Sequence, residues 1–80
     1  MNYVVYILFS ATLRKYYVGS TENFERRILQ HNTGRGNFTS KGMPWTTIRL
    51  IECSSRTEAV NLERKIKKRG IERFLEDLGR

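Results

Sequence analysis

The residues Tyr3-Val4-Val5-Tyr6-Ile7-Leu8-Phe9 form an unbroken run of aromatic and aliphatic side chains, and this run constrains the fold more than any other stretch. Its length suits a strand rather than a helix, and its β-branched and aromatic content points the same way. Ser10-Ala11-Thr12 breaks the run. Lys15-Tyr16-Tyr17-Val18 then resumes strand chemistry and stops at Gly19. So short a connection predicts an antiparallel hairpin, because a parallel return needs a longer crossover.

The rest of the chain alternates helix and strand signals. Thr21 or Asn23 can cap a helix in which Phe24, Ile28 and His31 recur at helical spacing, and Asn32-Thr33-Gly34 supplies a stop. From Asn32 to Pro44 the composition is that of a loop, with Arg35 and Lys41 embedded. Trp45 to Cys53 reads as a third strand, with Ile48 and Leu50 alternating against Thr47, Arg49 and Ile51. Ser55-Arg56-Thr57-Glu58 fits a capping box, Ala59, Leu62 and Ile66 form the apolar stripe behind it, and Gly70 is the expected stop. A last short helix carries Ile71, Phe74, Leu75 and Leu78. The order strand, strand, helix, strand, helix, helix predicts an α+β domain: a small, three-stranded, mostly antiparallel sheet flanked by helices. At 80 residues the expectation is one domain, 1–80.

Charge narrows the partner. Fifteen Lys and Arg against eight Asp and Glu give a net +7 and a pI near 10.1, which concentrates polyanions around a small globule. DNA and RNA are the partners this favours, since each phosphate neutralised releases counterions. No basic helix carries the Trp/Phe/Leu face of a membrane binder, and the apolar start is too short to span a bilayer and has no basic region before it. Cys53 is the single cysteine and His31 the single histidine, so a structural zinc site lacks its four ligands and a reducing, cytoplasmic setting is expected.

Five side chains then stand out. Paired strands can point Tyr6 and Tyr17 toward one face. Arg27 and His31, four apart, share a side of the first helix. Glu63 lies four after Ala59, beside the apolar stripe, and so is turned inward. The plain reading of each stays open: tyrosines at a core edge, a helix-surface arginine, a histidine favoured by a helix C-terminus, and a Glu63–Lys67 ion pair at the favoured i,i+4 spacing.

Taken in order along the chain, these residues resemble a known family. Val4-Val5-Tyr6 and Tyr17-Val18-Gly19 look like the two tripeptides that name the GIY-YIG nuclease superfamily, the first departing at its glycine. Phe24-Glu25-Arg26-Arg27 through His31-Asn32 resembles the helix after the second tripeptide, and Thr57-Glu58-Ala59 with Glu63 resembles the metal-binding helix. The resemblance covers nearly the whole chain and is greatest to small stand-alone bacterial members, relatives of the excision-repair nuclease UvrC and of intron homing endonucleases.

That resemblance implies metal-dependent phosphodiester hydrolysis in DNA, of a repair or recombination kind. One Mg²⁺ or Mn²⁺ would be held by Glu63. Tyr17 would be the general base toward water, with Tyr6 positioning that water. Arg27 would stabilise charge on the phosphate, and His31 would orient or shuttle a proton. Gly19, closing the second tripeptide, is expected to be structural, and Lys15, Arg35, Lys41 and Lys67 to contact nucleic acid. A phenol is a weak base at neutral pH without neighbouring cations, so Lys15 is expected beside Arg27. Two departures bear on this: Ser20 stands where repair-type members carry Lys, and the loop region of Thr39, Ser40 and Lys41 lacks the second His of the homing type. Backbone contacts without base readout imply selectivity for single strands, flaps or nicks. The competing readings are a binding module without turnover and a subunit that a protein partner delivers to substrate, the latter expected to show apolar surface around Phe74 and Leu78.

Overall fold

The computed structural model describes residues 3–33 and 39–79. Within them the elements run β1 (Tyr3–Ser10), β2 (Lys15–Thr21), α1 (Phe24–Asn32), β3 (Trp45–Cys53), α2 (Arg56–Arg69) and α3 (Ile71–Leu78), with a 3₁₀ turn at Thr39–Gly42. The sheet order is β2-β1-β3, and β1 pairs antiparallel with both neighbours.

The central place of β1 explains its unbroken apolar run. Val5 and Ile7 point to one face and Tyr6 and Leu8 to the other, and all four are buried. On the first face Val5, Ile7, Val18 and Cys53 pack against Ala59 and Ile66 of α2, with Phe74 and Leu75 of α3 added at the side. On the second face Tyr6, Leu8 and Trp45 pack with Phe24 and Ile28 of α1. The sheet is therefore sandwiched, with α2 and α3 on one side and α1 on the other.

Local chemistry sets each boundary. Asn23 is the cap of α1: its side chain accepts from Arg26 N at 3.1 Å, while its own N–H donates to Thr21 Oγ1 at 3.0 Å. Ser55 caps α2 by accepting from Glu58 N at 3.1 Å. The return half of the expected capping box is displaced by one residue, because the Glu58 carboxylate takes the amide and hydroxyl of Ser54 instead. Gly70, at φ +96°, ends α2 and opens α3. Its N–H donates to Ile66 O and its carbonyl accepts from Phe74 N, each at 2.9 Å. An Arg69–Asp77 ion pair at 2.9 Å braces that corner.

Two expectations change. The simple alternation of β3 fails because the register shifts between Ile7 and Leu8: Ile7 faces Arg49 but Leu8 faces Thr47, and Ile48 is left out of the ladder. Trp45 and Leu50, five apart, consequently share the Tyr6 face, and Ile48 is 43% exposed. The apolar surface that would mark a partner face on α3 is reduced to Leu78, 40% exposed, because Phe74 packs against the core.

Arg14, in the turn that joins β1 to β2, sits at φ +54°. A left-handed non-glycine residue costs on the order of 1 kcal/mol. Arg14→Gly is expected to recover only about half of that, because glycine also gains freedom in the unfolded chain. Thermal unfolding followed by circular dichroism should show a rise of a few degrees. A fall would show that the Arg14 side chain contributes more than its backbone costs.

Candidate active site

The centre of the site is a tyrosine lying over a glycine. Tyr6 of β1 faces Gly19 of β2 across the ladder. A Cβ on Gly19 would collide with Tyr6 Oη and Cζ, and would press on the Tyr17 ring. Only glycine leaves that space, so the residue that closes the second tripeptide is what lets the Tyr6 hydroxyl reach its partners.

Those partners come from α1. The Tyr6 hydroxyl lies 3.0 Å from His31 Nε2, and Arg27 Nε donates to it at 3.4 Å. A guanidinium has no acceptor, so the Tyr6 oxygen accepts from Arg27 and its one proton points to His31. His31 therefore presents an unprotonated Nε2, an assignment made from the bonding pattern. Burial, and after it the positive charge of Arg27, hold His31 below its ordinary imidazole value; at neutral pH it is uncharged, as that bond requires. Burial raises the Tyr6 phenol above its usual range despite the opposing bond from Arg27, and the hydroxyl stays protonated. Hydrogen bonding to Tyr6, with a smaller contribution from Tyr17, raises Arg27 further. A third bond, Arg27 Nη1 to Gln30 Oε1 at 3.1 Å, fixes the guanidinium along α1.

Tyr17 stands half-buried beside this group. Its ring meets His31 edge-on at 5.1 Å between centroids and lies 6.3 Å from Tyr6 and 6.1 Å from Trp45. Phe24 closes the far side of Tyr6 at 5.5 Å. Trp45 and Phe24 escaped the sequence reading as site residues, because a strand-opening Trp and a helix-stripe Phe look like ordinary core.

Glu63 arrives from the opposite face of the sheet. Its Oε1 accepts from Ser20 Oγ at 2.8 Å across the free edge of β2, and its Oε2 lies 2.8 Å from Lys67 Nζ. The Glu63 side chain is 22% exposed. The i,i+4 ion pair read from spacing is thus present, and the hydrogen bond to Glu63 is the main influence that raises Lys67. Lys67 also faces Tyr17 electrostatically, so phenol, guanidinium, carboxylate and ammonium surround one stretch of β2 edge.

Two of the remaining predicted contacts fall within the described residues. Lys15 is exposed at the hairpin end of β2, opposite Ser10 and on the Tyr17 face. It is five residues from Ser20, about 16 Å of extended chain. The cation next to Ser20 and Glu63 is Lys67, not Lys15. Lys41 is exposed in the 3₁₀ turn, and Arg35 lies outside the described residues.

Among the described residues no three His, Cys, Asp or Glu side chains come together. A metal here would rest on one protein carboxylate, which suits Mg²⁺, an ion that keeps several waters and takes substrate oxygens. Glu63 Oε2 is paired with the Lys67 ammonium, so a metal at that oxygen would replace an existing ion pair.

Comparison with known proteins identifies the family and the fold. A model described as the GIY-YIG catalytic domain matches residues 2–72. The chain belongs to the GIY-YIG family. It is similar to a UPF0213 protein of Halobacterium salinarum, 38% identical over 53 residues, or 65% of this chain and 69% of that one. Its fold is similar to the solution NMR structure of a UPF0213 protein from Bacillus halodurans, with a TM-score of 0.61 and 28% identity, covering 99% of this chain and 84% of that one. GIY-YIG membership gives the domain a nuclease kind of chemistry and nucleic acid as its substrate class. No helix of the described residues is long and apolar enough to cross a membrane.

Two measurements follow for this GIY-YIG domain. Gly19→Ala must push Tyr6 off its seat, an overpacking cost of roughly 1–3 kcal/mol. A melting temperature several degrees lower is expected; an unchanged one would mean that Tyr6 has room to spare. The second concerns pH. The unfolded chain protonates His31 near pH 6.5 and the folded chain only at lower pH, so the unfolded state binds more protons between the two values. Stability from this group is full above about pH 6.5 and is lost as pH falls through that window. Melting temperatures from pH 7.5 to 5.5 should slope downward in the parent and less steeply in His31→Gln, which keeps an acceptor for Tyr6.

Proposed function

We propose that the chain is an endonuclease that hydrolyses phosphodiester bonds in DNA with one divalent metal, Mg²⁺ or Mn²⁺, at Glu63. The observation that carries this reading is that Tyr17 and Arg27 on the α1 face and Glu63 on the α2 face flank the same edge strand, with Glu63 bonded to Ser20 directly after Gly19. A bound cation would supply Lewis-acid charge at the phosphate. Arg27, charged at every working pH and tied to Tyr6 and Gln30, holds a fixed positive group toward the scissile phosphate. Tyr17 would take the proton of the attacking water once its own has passed to solvent; Arg27 and Lys67 are the cations that face it. Tyr6 is 1% exposed and its hydroxyl is shared between Arg27 and His31. In this reading Tyr6 and His31 are positioning residues that hold Arg27 and Tyr17, rather than groups that touch water or substrate.

The net +7 and the open edge of β2 support phosphate-backbone contact without base readout, and so action on single strands, flaps or nicks in repair or recombination. Cys53, a buried free thiol, suits a cytoplasmic setting.

A second reading has its own observation. Both Glu63 oxygens are satisfied by Ser20 and Lys67, so the cleft is stable without a metal, as in a module that binds nucleic acid and does not cut it. Cleavage assays on labelled single-stranded, nicked and flapped DNA separate the two. With Mg²⁺ or Mn²⁺ the parent should cut, EDTA should stop it, and Tyr17→Phe and Glu63→Gln should each lose at least about 10²-fold in rate while still binding. Binding without cutting by the parent would establish the module.

A further inference from the structure

Beside the active site lies a pocket of about 340 Å³ at the end of β2, and its charge is unusual. Arg26 and Arg27 of α1 and Arg56 of α2 line it with Ser20 and Thr21, against a single carboxylate, Glu22. Three guanidiniums and one carboxylate leave an excess of positive charge in a volume at the small end of ligand sites.

The pocket is continuous with the site. Ser20 lines it and donates to Glu63; Arg27 lines it and donates to Tyr6. On α2, Arg56, Val60, Glu63 and Lys67 follow at spacings of four, three and four, so they form one stripe. Arg56 stands seven residues before Glu63, about 10.5 Å along the helix axis. The two ends of the stripe differ in state. Lys67 is engaged by Glu63, whereas among the described residues the Arg26 and Arg56 guanidiniums have no hydrogen-bond or ion-pair partner. Guanidiniums on a pocket wall without a carboxylate partner are suited to forked bonding of phosphate oxygens.

We propose that this pocket seats an internucleotide phosphate flanking the scissile one, with Arg26 and Arg56 as its ligands and Arg27 shared between the two phosphates. The pocket rests on the reading of Glu63 and Arg27 as the scissile-phosphate end. It gives the enzyme a second grip on the strand, which fixes the direction in which a strand crosses the edge of β2. Base identity plays no part, because the side chains that line the pocket recognise charge.

The test is binding, measured in EDTA so that cutting does not enter. A short labelled single strand with hydroxyl ends is titrated at several salt concentrations with the parent, Arg26→Gln, Arg56→Gln and, as a control for diffuse charge, Arg73→Gln on exposed α3. Each pocket variant should bind more weakly and flatten the slope of log K against log salt by about 0.7, the value for one fewer phosphate neutralised on a single strand. Arg73→Gln should change the slope by much less. The Arg26 and Arg56 Nε–Hε signals should shift when the strand is added to the labelled parent. Slopes equal to the parent's, or an equal loss in Arg73→Gln, would overturn the pocket. A loss confined to strands carrying a terminal phosphate would overturn the internucleotide assignment. The active-site reading fails separately: a parent that never cuts but shows these slopes would retain the pocket and lose the nuclease.

Discussion

Tyr6 can reach α1 because residue 19 has no side chain. That clearance, between neighbouring strands of a small sheet, is the constraint on which the rest of the site depends. With it, the Tyr6 oxygen accepts from Arg27 and gives its proton to His31. The hydrogen bonds and the burial reinforce each other. A buried imidazole resists protonation, an uncharged imidazole accepts the tyrosine proton, and the tyrosine oxygen is then oriented to take Arg27. Were His31 charged, Nε2 would be a donor, the Tyr6 proton would lose its acceptor, and a buried cation would stand beside Arg27.

The site straddles an edge rather than filling a cleft on one face. Tyr6, Tyr17, Arg27 and His31 belong to the side of the sheet covered by α1, and Glu63 and Lys67 to the side covered by α2. β2 is the strand between them, and being at the edge it lets side chains from both faces meet around it. Ser20 is the join: it lies on the α2 face directly after Gly19 on the α1 face, and its hydroxyl reaches Glu63. The alternation of a strand thus assigns successive residues to the two halves of the site. Where repair-type relatives place a lysine at this position, this chain places a hydroxyl that orients the carboxylate, with Lys67 one helical turn along α2 as the neighbouring cation.

Much of this was legible in the residues alone, and the parts that were not share a cause. Strand and helix signals were local: the apolar run of β1, the Ser55 cap, Gly70 and the 3.6-residue stripes sit close enough in sequence to be read directly. The family resemblance ordered Tyr6, Tyr17, Arg27, His31 and Glu63, and the fold carries all five to the same stretch of β2. What failed depended on pairing between distant segments. The register shift that ejects Ile48 arises only when β3 meets β1. That Lys67 is the cation beside Ser20 and Glu63 reflects the wrap of α2 around the β2 edge. Arg26 and Arg56 carry no local signal of a common role, because thirty residues separate them and nothing in their spacing shows a shared pocket.

The small size of the domain also decides which substitutions can be interpreted. Tyr6 and His31 are buried, 1% and 3% exposed; Tyr6 belongs to that one of the two hydrophobic clusters that lies under α1, and His31 bonds to its hydroxyl. Removing either changes packing and chemistry together, so a loss of activity there does not assign a role. Tyr17→Phe and Glu63→Gln act at the rim, keep volume, and leave both clusters closed. Glu63→Gln has a further property: it removes the charge that holds Lys67, so the ammonium is released toward the groove where phosphate would lie. Such a variant can bind a polyanion more tightly than its parent while cutting it less, since one repulsive carboxylate is gone and one cation is freed. Tighter binding with lost turnover is therefore the combination that separates a carboxylate working on a cation from one that merely pairs with Lys67.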